Sequence, residues 1–299
     1  MKLKSPLSIG SWIVLSAMLM LGACKKEGSL QSPKVTEEES ITLSEESTVS
    51  EAEYDDVTEI GFSAGADLEV NATVETNASI NGLTLETRPD LFPDLFFKVG
   101  PCTKIEILPN DSTWPKTIII NYGDGCICRD GKFRKGAIVL HFTGPIRRPG
   151  SVLTITLRGY YVNRMHIEGT KTIKNLTENG VHKYSVHVEN GAVTLPSGRG
   201  FKYEATKVVT QVRGMETRTI RDDVYSIEGR SKTSYNNGIV VVKNTETPLV
   251  KPVTCPWIVK GVLKIKINDR VLYLDFGNGD CDNKAILKWA NGEIEIRLP

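Results

Sequence analysis

Lys116-Thr-Ile-Ile-Ile-Asn121, Gly136-Ala-Ile-Val-Leu-His-Phe142 and Ser151-Val-Leu-Thr-Ile-Thr-Leu157 decide the fold of this chain. Each is a short run rich in β-branched residues, bounded by Gly, Pro or Asp, and each predicts a strand. Further along, Tyr184-Ser-Val-His-Val188 and Ala192-Val-Thr-Leu195 flank Asn190-Gly191, a pair that predicts a tight hairpin turn. Asn-Gly pairs at 179–180, 237–238 and 291–292 punctuate the rest. Val262-Leu-Lys-Ile-Lys-Ile267 and Glu293-Ile-Glu-Ile-Arg-Leu298 alternate with period two, as half-buried strands do. No window in 100–299 carries a helical period. The expectation is an all-β body over about 99–299, an antiparallel meander or sandwich.

Composition narrows the function classes. Of 299 residues 40% are hydrophobic and 24% charged, as in ordinary globular chains. With 37 Lys+Arg against 36 Asp+Glu the net charge is +1, which argues against a nucleic-acid partner. The charges are unevenly placed. Residues 25–56 hold ten acids and three bases with one aromatic, Tyr54, a composition that predicts a disordered acidic tether over 24–58. A flexible coil of that length reaches roughly 30 Å. Residues 59–98 form a poorly defined junction, with a possible short helix over 55–70 weakened by Gly61 and Gly65. Residues 100–299 hold 30 Lys+Arg against 19 Asp+Glu, a surplus of eleven that invites a glycan- or polyanion-binding hypothesis.

The N-terminus reads as an export address. Lys2 and Lys4 precede an uncharged apolar stretch from Ile9 to Leu21, too short to span a bilayer. Leu21-Gly22-Ala23-Cys24 resembles the lipobox of bacterial lipoproteins. That resemblance implies removal of a signal peptide, residues 1–23, and acylation of Cys24, so that membrane lipid is the first partner. Several acyl chains at roughly 0.8 kcal/mol per buried CH₂ give a firm anchor. Lys25 stands where inner-membrane retention uses Asp, and Cys24-Lys25-Lys26-Glu27 is similar to the surface-export signals of Bacteroidota lipoproteins. The implied location is the bacterial outer membrane, with its outer face favoured.

Two stretches echo each other. Cys102-Thr-Lys-Ile-Glu-Ile107 leads to Ile118-Ile-Ile-Asn-Tyr-Gly-Asp-Gly-Cys126, and Cys255-Pro-Trp257 leads through 263–267 to Leu272-Tyr-Leu-Asp-Phe-Gly-Asn-Gly-Asp-Cys281. Cys-to-Cys separations are 24 and 26. In an antiparallel hairpin the first residue of one strand faces the last of the other, so each pair would clamp an open end. Closing about 25 residues is worth roughly 3–4 kcal/mol in the chain-entropy model. Cys128 is an alternative to Cys126 as partner of Cys102.

With Phe142-Thr-Gly-Pro145, Tyr160-Tyr-Val-Asn163, Ile167-Glu-Gly-Thr170 and Asp222-Asp-Val-Tyr225, these motifs resemble a large family of uncharacterised Bacteroidota lipoproteins over residues 100–299. The resemblance implies an exported, lipid-anchored, β-rich protein and assigns no activity.

Other candidate sites are weak. Gly61-Phe-Ser63-Ala-Gly65 matches the nucleophile elbow of hydrolases, yet no strand-turn-helix context surrounds it. His141, His166, His182 and His187 lack zinc-like spacing and read as surface or packing residues. Cys126-Ile-Cys128 suits disulfide chemistry better than a redox pair. Asp275, Asn278, Asp280 and Asp282, with Asp124 and Asp130 in the echo, offer calcium oxygens, though Asp, Asn and Gly are equally what tight turns need. Asp111-Ser112-Thr113 resembles a Bacteroidota O-glycosylation acceptor at Ser112. No cofactor is expected. The expected function is a non-enzymatic structural or binding lipoprotein of the envelope. A glycan or polyanion binder would show Tyr160, Tyr161, Trp257 and Trp289 as an exposed strip, and a hydrolase would bring Ser63 or paired carboxylates to a histidine.

Overall fold

The computed structural model describes residues 33–71, 89–101, 103–109 and 111–298. Cys24, its signal peptide and Cys102 lie outside the described residues. The body is one antiparallel meander of thirteen strands among those described, each paired with its neighbours in sequence. They are β1 Lys104–Leu108, β2 Lys116–Ile127, β3 Phe133–Phe142, β4 Val152–Val162, β5 Met165–Asn175, β6 Lys183–Thr194, β7 Gly200–Arg213, β8 Val224–Tyr235, β9 Val240–Pro252, β10 Lys260–Ile267, β11 Arg270–Asn278, β12 Lys284–Trp289 and β13 Gly292–Arg297. The all-β expectation holds, and of its two forms the meander is the one found.

Alternation builds the core. In β2, Ile118 and Ile120 are fully buried, and across the ladder Ile118 faces Leu140 and Ile120 faces Ile138, both buried as well. Each such side chain contributes about 1.5–3 kcal/mol when removed from water. The echoed segments form the hairpins β1–β2 and β10–β11, with Lys104 opposite Asn121 and Lys260 opposite Asn278. Cys255, just before β10, bridges to Cys281, just after β11, as the clamp reading requires. Cys126 is also disulfide-bonded, whereas Cys128 is a free, buried thiol.

Two expectations fail, for physical reasons. Asn190-Gly191 is no hairpin turn: both residues lie inside β6, where the ladders to β5 and β7 shift register. A Cβ on Gly191 would stand 2.3 Å from the Tyr203 carbonyl and 3.0 Å from the Tyr54 hydroxyl, so the glycine makes room for a bulge and for Tyr54. The acidic segment is likewise no disordered tether over its described part. Glu37–Asn71 is one helix, α1, of 35 residues and about 52 Å. Thr36 caps it, accepting the Glu39 N–H at 3.1 Å, and Glu37, Glu38 and Glu39 suit the positive end of the helix dipole. A second helix, α2 (Pro93–Val99), follows a 3₁₀ turn at Pro89–Leu91 and packs on α1.

Almost every residue from Glu51 to Leu68 is buried, because the sheet curls around α1. Glu59 meets Lys251 of β9 at 2.7 Å, while Gly61 abuts Leu153 and Ile155 of β4. Two residues apart on a helix point about 200° apart, so β4 and β9, five strands apart in the meander, flank opposite sides of one helix. Gly61 and Gly65 lie one turn apart where a Cβ would stand 2.9 Å from Leu153 and from Ile146 respectively. The Gly-x-Ser-x-Gly pattern is a close-packing face, not an elbow. Ser63 sits mid-helix and is buried.

Candidate functional site

Enclosing α1 buries its carboxylates, and a buried charge needs a partner. The sheet supplies cations at inward positions. Glu51 is 2.7 Å from Lys207 of β7 and 3.2 Å from Lys243 of β9, and accepts a hydrogen bond from the Ser231 hydroxyl. Burial pushes the Glu51 carboxyl up, but the two ammonium groups outweigh it and hold it at about 2. Asp55 shares Lys207 at 2.7 Å. Asp56 pairs with Arg134 at 2.6 Å and Lys98 at 2.8 Å, and these cations overcome burial to hold it well below the usual range. Lys98 also binds Glu59. Arg134, with no exposed side-chain surface, is completed by Asp130 at 2.6 Å. Lys171, which donates to the Tyr54 carbonyl and the Thr58 hydroxyl, is pushed down to about 8, chiefly by burial. Tyr54 itself stacks on Tyr203 with ring centroids 4.5 Å apart and donates to the Glu168 carbonyl at 2.6 Å.

Beside this ionic layer lies a cavity of about 350 Å³. One wall is charged and belongs to α1, α2 and the β2–β3 turn, through Glu51, Asp56, Glu59, Lys98 and Lys132. The strands add apolar lining through Val209, Ile227, Leu249, Leu263 and Phe276, together with the ammonium groups of Lys207 and Lys251. Phe97, Arg129 and Arg221 stand where it meets solvent; all three are exposed. Asp67 fixes α2 beside the cavity by accepting the backbone N–H groups of Asp94 and Leu95 at 3.1 and 2.9 Å. Burial pushes the Asp67 carboxyl up to about 8. A mixed lining of this size, apolar in good part with a few fixed charges, suits a small amphiphile.

The residues singled out from sequence mostly fall elsewhere. The histidines are held by local partners: His141 beside the Thr117 hydroxyl, His182 beside Thr177, His187 between Thr206 and Glu189, and His166 stacked on Tyr161. None lies near Ser63 through any of these contacts. Asp275 binds Lys288 at 3.0 Å and accepts the Gly277 N–H, and Asp282 accepts the Lys284 N–H, as turn residues do. Asn278 and Asp280 lie exposed in the same turn region. Among the described residues, no group of three His, Cys, Asp or Glu side chains could hold a metal ion. Ser112 is exposed in the β1–β2 turn, where Asp111 accepts bonds from Thr113. The aromatic strip does not form: Tyr160 is fully buried, and Trp257 and Trp289 pack half-buried against the core.

Sequence reasoning missed the cavity and its ionic wall. One signal was available: Lys207 falls in phase with the inward apolar residues Phe201, Tyr203, Ala205 and Val209 of β7, and Lys243 follows Val241 in β9. A cation on the core parity of a strand calls for a buried anion. Comparison with family models, with curated proteins and with solved structures finds no match to this chain.

Proposed function

We propose that this protein is a non-enzymatic lipoprotein of the bacterial outer membrane, anchored through acylated Cys24 and akin to the Bacteroidota lipoproteins its motifs resemble. In this reading it holds a small amphiphilic molecule of the envelope beside α1. The observation that carries the reading is the cavity of about 350 Å³, whose lining combines apolar strand residues with charged groups from α1, α2 and the strands. The polyanion alternative has less support than the body's charge surplus suggests, because Lys171, Lys207, Lys243, Lys251, Lys132 and Arg134 are spent on the carboxylates of α1 or buried beside them. The serine-hydrolase alternative is the weaker one: Ser63 is a buried residue of α1 that lines the cavity, but no histidine is among the described residues lining it.

The test uses the chain from residue 24 onward with Cys24→Ala, titrated with a polyene fatty acid that fluoresces only when removed from water. A saturable one-to-one signal is expected, and Leu249→Trp, which fills the apolar side, is expected to abolish it with the far-ultraviolet spectrum unchanged. No saturable binding by the folded wild type would overturn the reading.

A further inference from the structure

Two guanidinium groups share one aromatic ring at the mouth of the cavity. The Arg129 guanidinium carbon lies 5.8 Å from the Phe97 ring centroid and 5.6 Å from that of Phe96. The Arg221 guanidinium carbon lies 5.8 Å from the same Phe97 ring. The three residues come from separate places in the chain: α2, the β2–β3 turn and the β7–β8 loop. Their meeting is therefore a product of the fold. Backbone contacts hold them there, with the Arg129 N–H donating to the Val99 carbonyl. Gly100 has φ +72°, and a Cβ on it would come within 3.1 Å of the Arg129 Cβ, so a glycine is what lets the turn approach α2.

The electrostatic state of Arg129 differs from that of the other cations on the cavity wall. Lys98, Lys132, Lys207 and Lys251 are each within ion-pair distance of an α1 carboxylate. Arg221 spends its Nε on Asp94 at 3.0 Å and on the Thr219 hydroxyl. Arg129 has no carboxylate partner among the described residues; its guanidinium is held by the faces of Phe96 and Phe97. Stacking on a ring fixes a guanidinium's plane while leaving its donor edge available. An oxyanion with two or more oxygens is the group that such an edge binds bidentately.

We propose that Arg129 and Arg221, oriented by Phe97, bind the anionic head of the amphiphile, a carboxylate or a phosphate monoester, while its hydrocarbon tail lies along Leu249, Leu263 and Phe276. This rests on the cavity reading above and adds the chemical class of the ligand's head. Phe97, 40% exposed, serves as the platform that keeps both guanidinium groups at the mouth.

The test compares three probes of one hydrocarbon chain, a fatty acid, its alkyl phosphate and its alcohol, on the Cys24→Ala protein and on Arg129→Gln, Arg129→Lys and Phe97→Leu variants. At least one of the two anions is expected to bind tenfold or more tighter than the alcohol, and which one does so identifies the head. Arg129→Gln is expected to weaken the preferred anion about tenfold, as loss of one charge-assisted contact does, while leaving the alcohol unchanged. Arg129→Lys is expected to recover only part of the loss, because an ammonium cannot bind bidentately. Phe97→Leu is expected to lower anion affinity with Arg129 in place. If acid, phosphate and alcohol bind equally and Arg129→Gln changes none of them, the proposal is overturned and the cavity reading stands. If no probe binds the folded protein, both fall together.

Discussion

Glu51→Gln tests how much of the fold rests on charges buried inside the sheet. The wild-type carboxylate answers Lys207 at 2.7 Å and Lys243 at 3.2 Å. Its pKa of about 2, against a reference of 4.5, is a difference of about 2.5, equivalent to about 3 kcal/mol of folded-state preference for the ionised form. Gln keeps the shape and the hydrogen bond from Ser231 but leaves Lys243 with only the Thr48 hydroxyl, at 3.0 Å. Breaking a buried pair from one side costs about 3–5 kcal/mol, in line with that figure. The expected result in urea unfolding at pH 7 is a loss of about 3 kcal/mol, or on the order of 10 °C in Tm. The pH dependence carries the sign. Because the folded pKa is depressed, the wild-type advantage is complete above about 4.5 and disappears as pH falls towards 2. Glu51→Gln/Lys243→Met, which removes the stranded ammonium, is expected to recover at least half of the loss. A Glu51→Gln protein within 0.5 kcal/mol of wild type at pH 7, or a deficit that does not shrink with acid, would refute the reasoning.

Three further outcomes rest on a buried lysine, a crowded glycine and the disulfide clamp. Lys171→Met is expected to stabilise the protein at pH 7. The buried ammonium has its pKa lowered to about 8, so the wild type gains stability as pH rises from about 8 to 10.5, where the unfolded chain still holds that proton, and the variant loses this rise in alkaline denaturation curves. Gly136→Ala is expected to cost 2 kcal/mol or more: φ is +82° and the added Cβ would stand 2.0 Å from the Gly159 carbonyl, a cost readable from the urea midpoint. Cys255→Ser/Cys281→Ser opens a loop of 26 residues and is expected to lose roughly 3–4 kcal/mol under non-reducing conditions, with no difference from wild type once both are reduced.

The strands were legible because their information is local. Ile118 and Ile120, or Leu263, Ile265 and Ile267, announce a buried face by parity alone, and the residues that oppose them lie in the neighbouring strand. The Cys255–Cys281 clamp was legible for the same reason, since a hairpin brings near sequence neighbours together. Helix α1 was not. Its twelve acids and no bases read as a solvated segment, and no stripe of apolar residues marks a buried face. What makes the helix burial-competent is remote: Asp56 is answered by Arg134, Glu59 by Lys251 and Glu51 by Lys243, all far along the chain. The acids of α1 and the buried bases Arg134, Lys171, Lys207, Lys243 and Lys251 belong to one interior, and a segment-by-segment reading of composition separates them. The Asn190-Gly191 misreading has a similar origin. The pair satisfies turn chemistry, but the space it frees is used by Tyr54 from a helix over 130 residues away.

The most direct measurement is amide hydrogen exchange along α1 in the Cys24→Ala protein at neutral pH. With the helix enclosed by the sheet, amides from Glu51 to Leu68 are expected to exchange only through global unfolding, at the same free energy as the central strands β5 to β8. Complete exchange of that segment within seconds, while the strands stay protected, would show the acidic chain lying outside the sheet and would remove the ionic wall, the cavity and the guanidinium pair together.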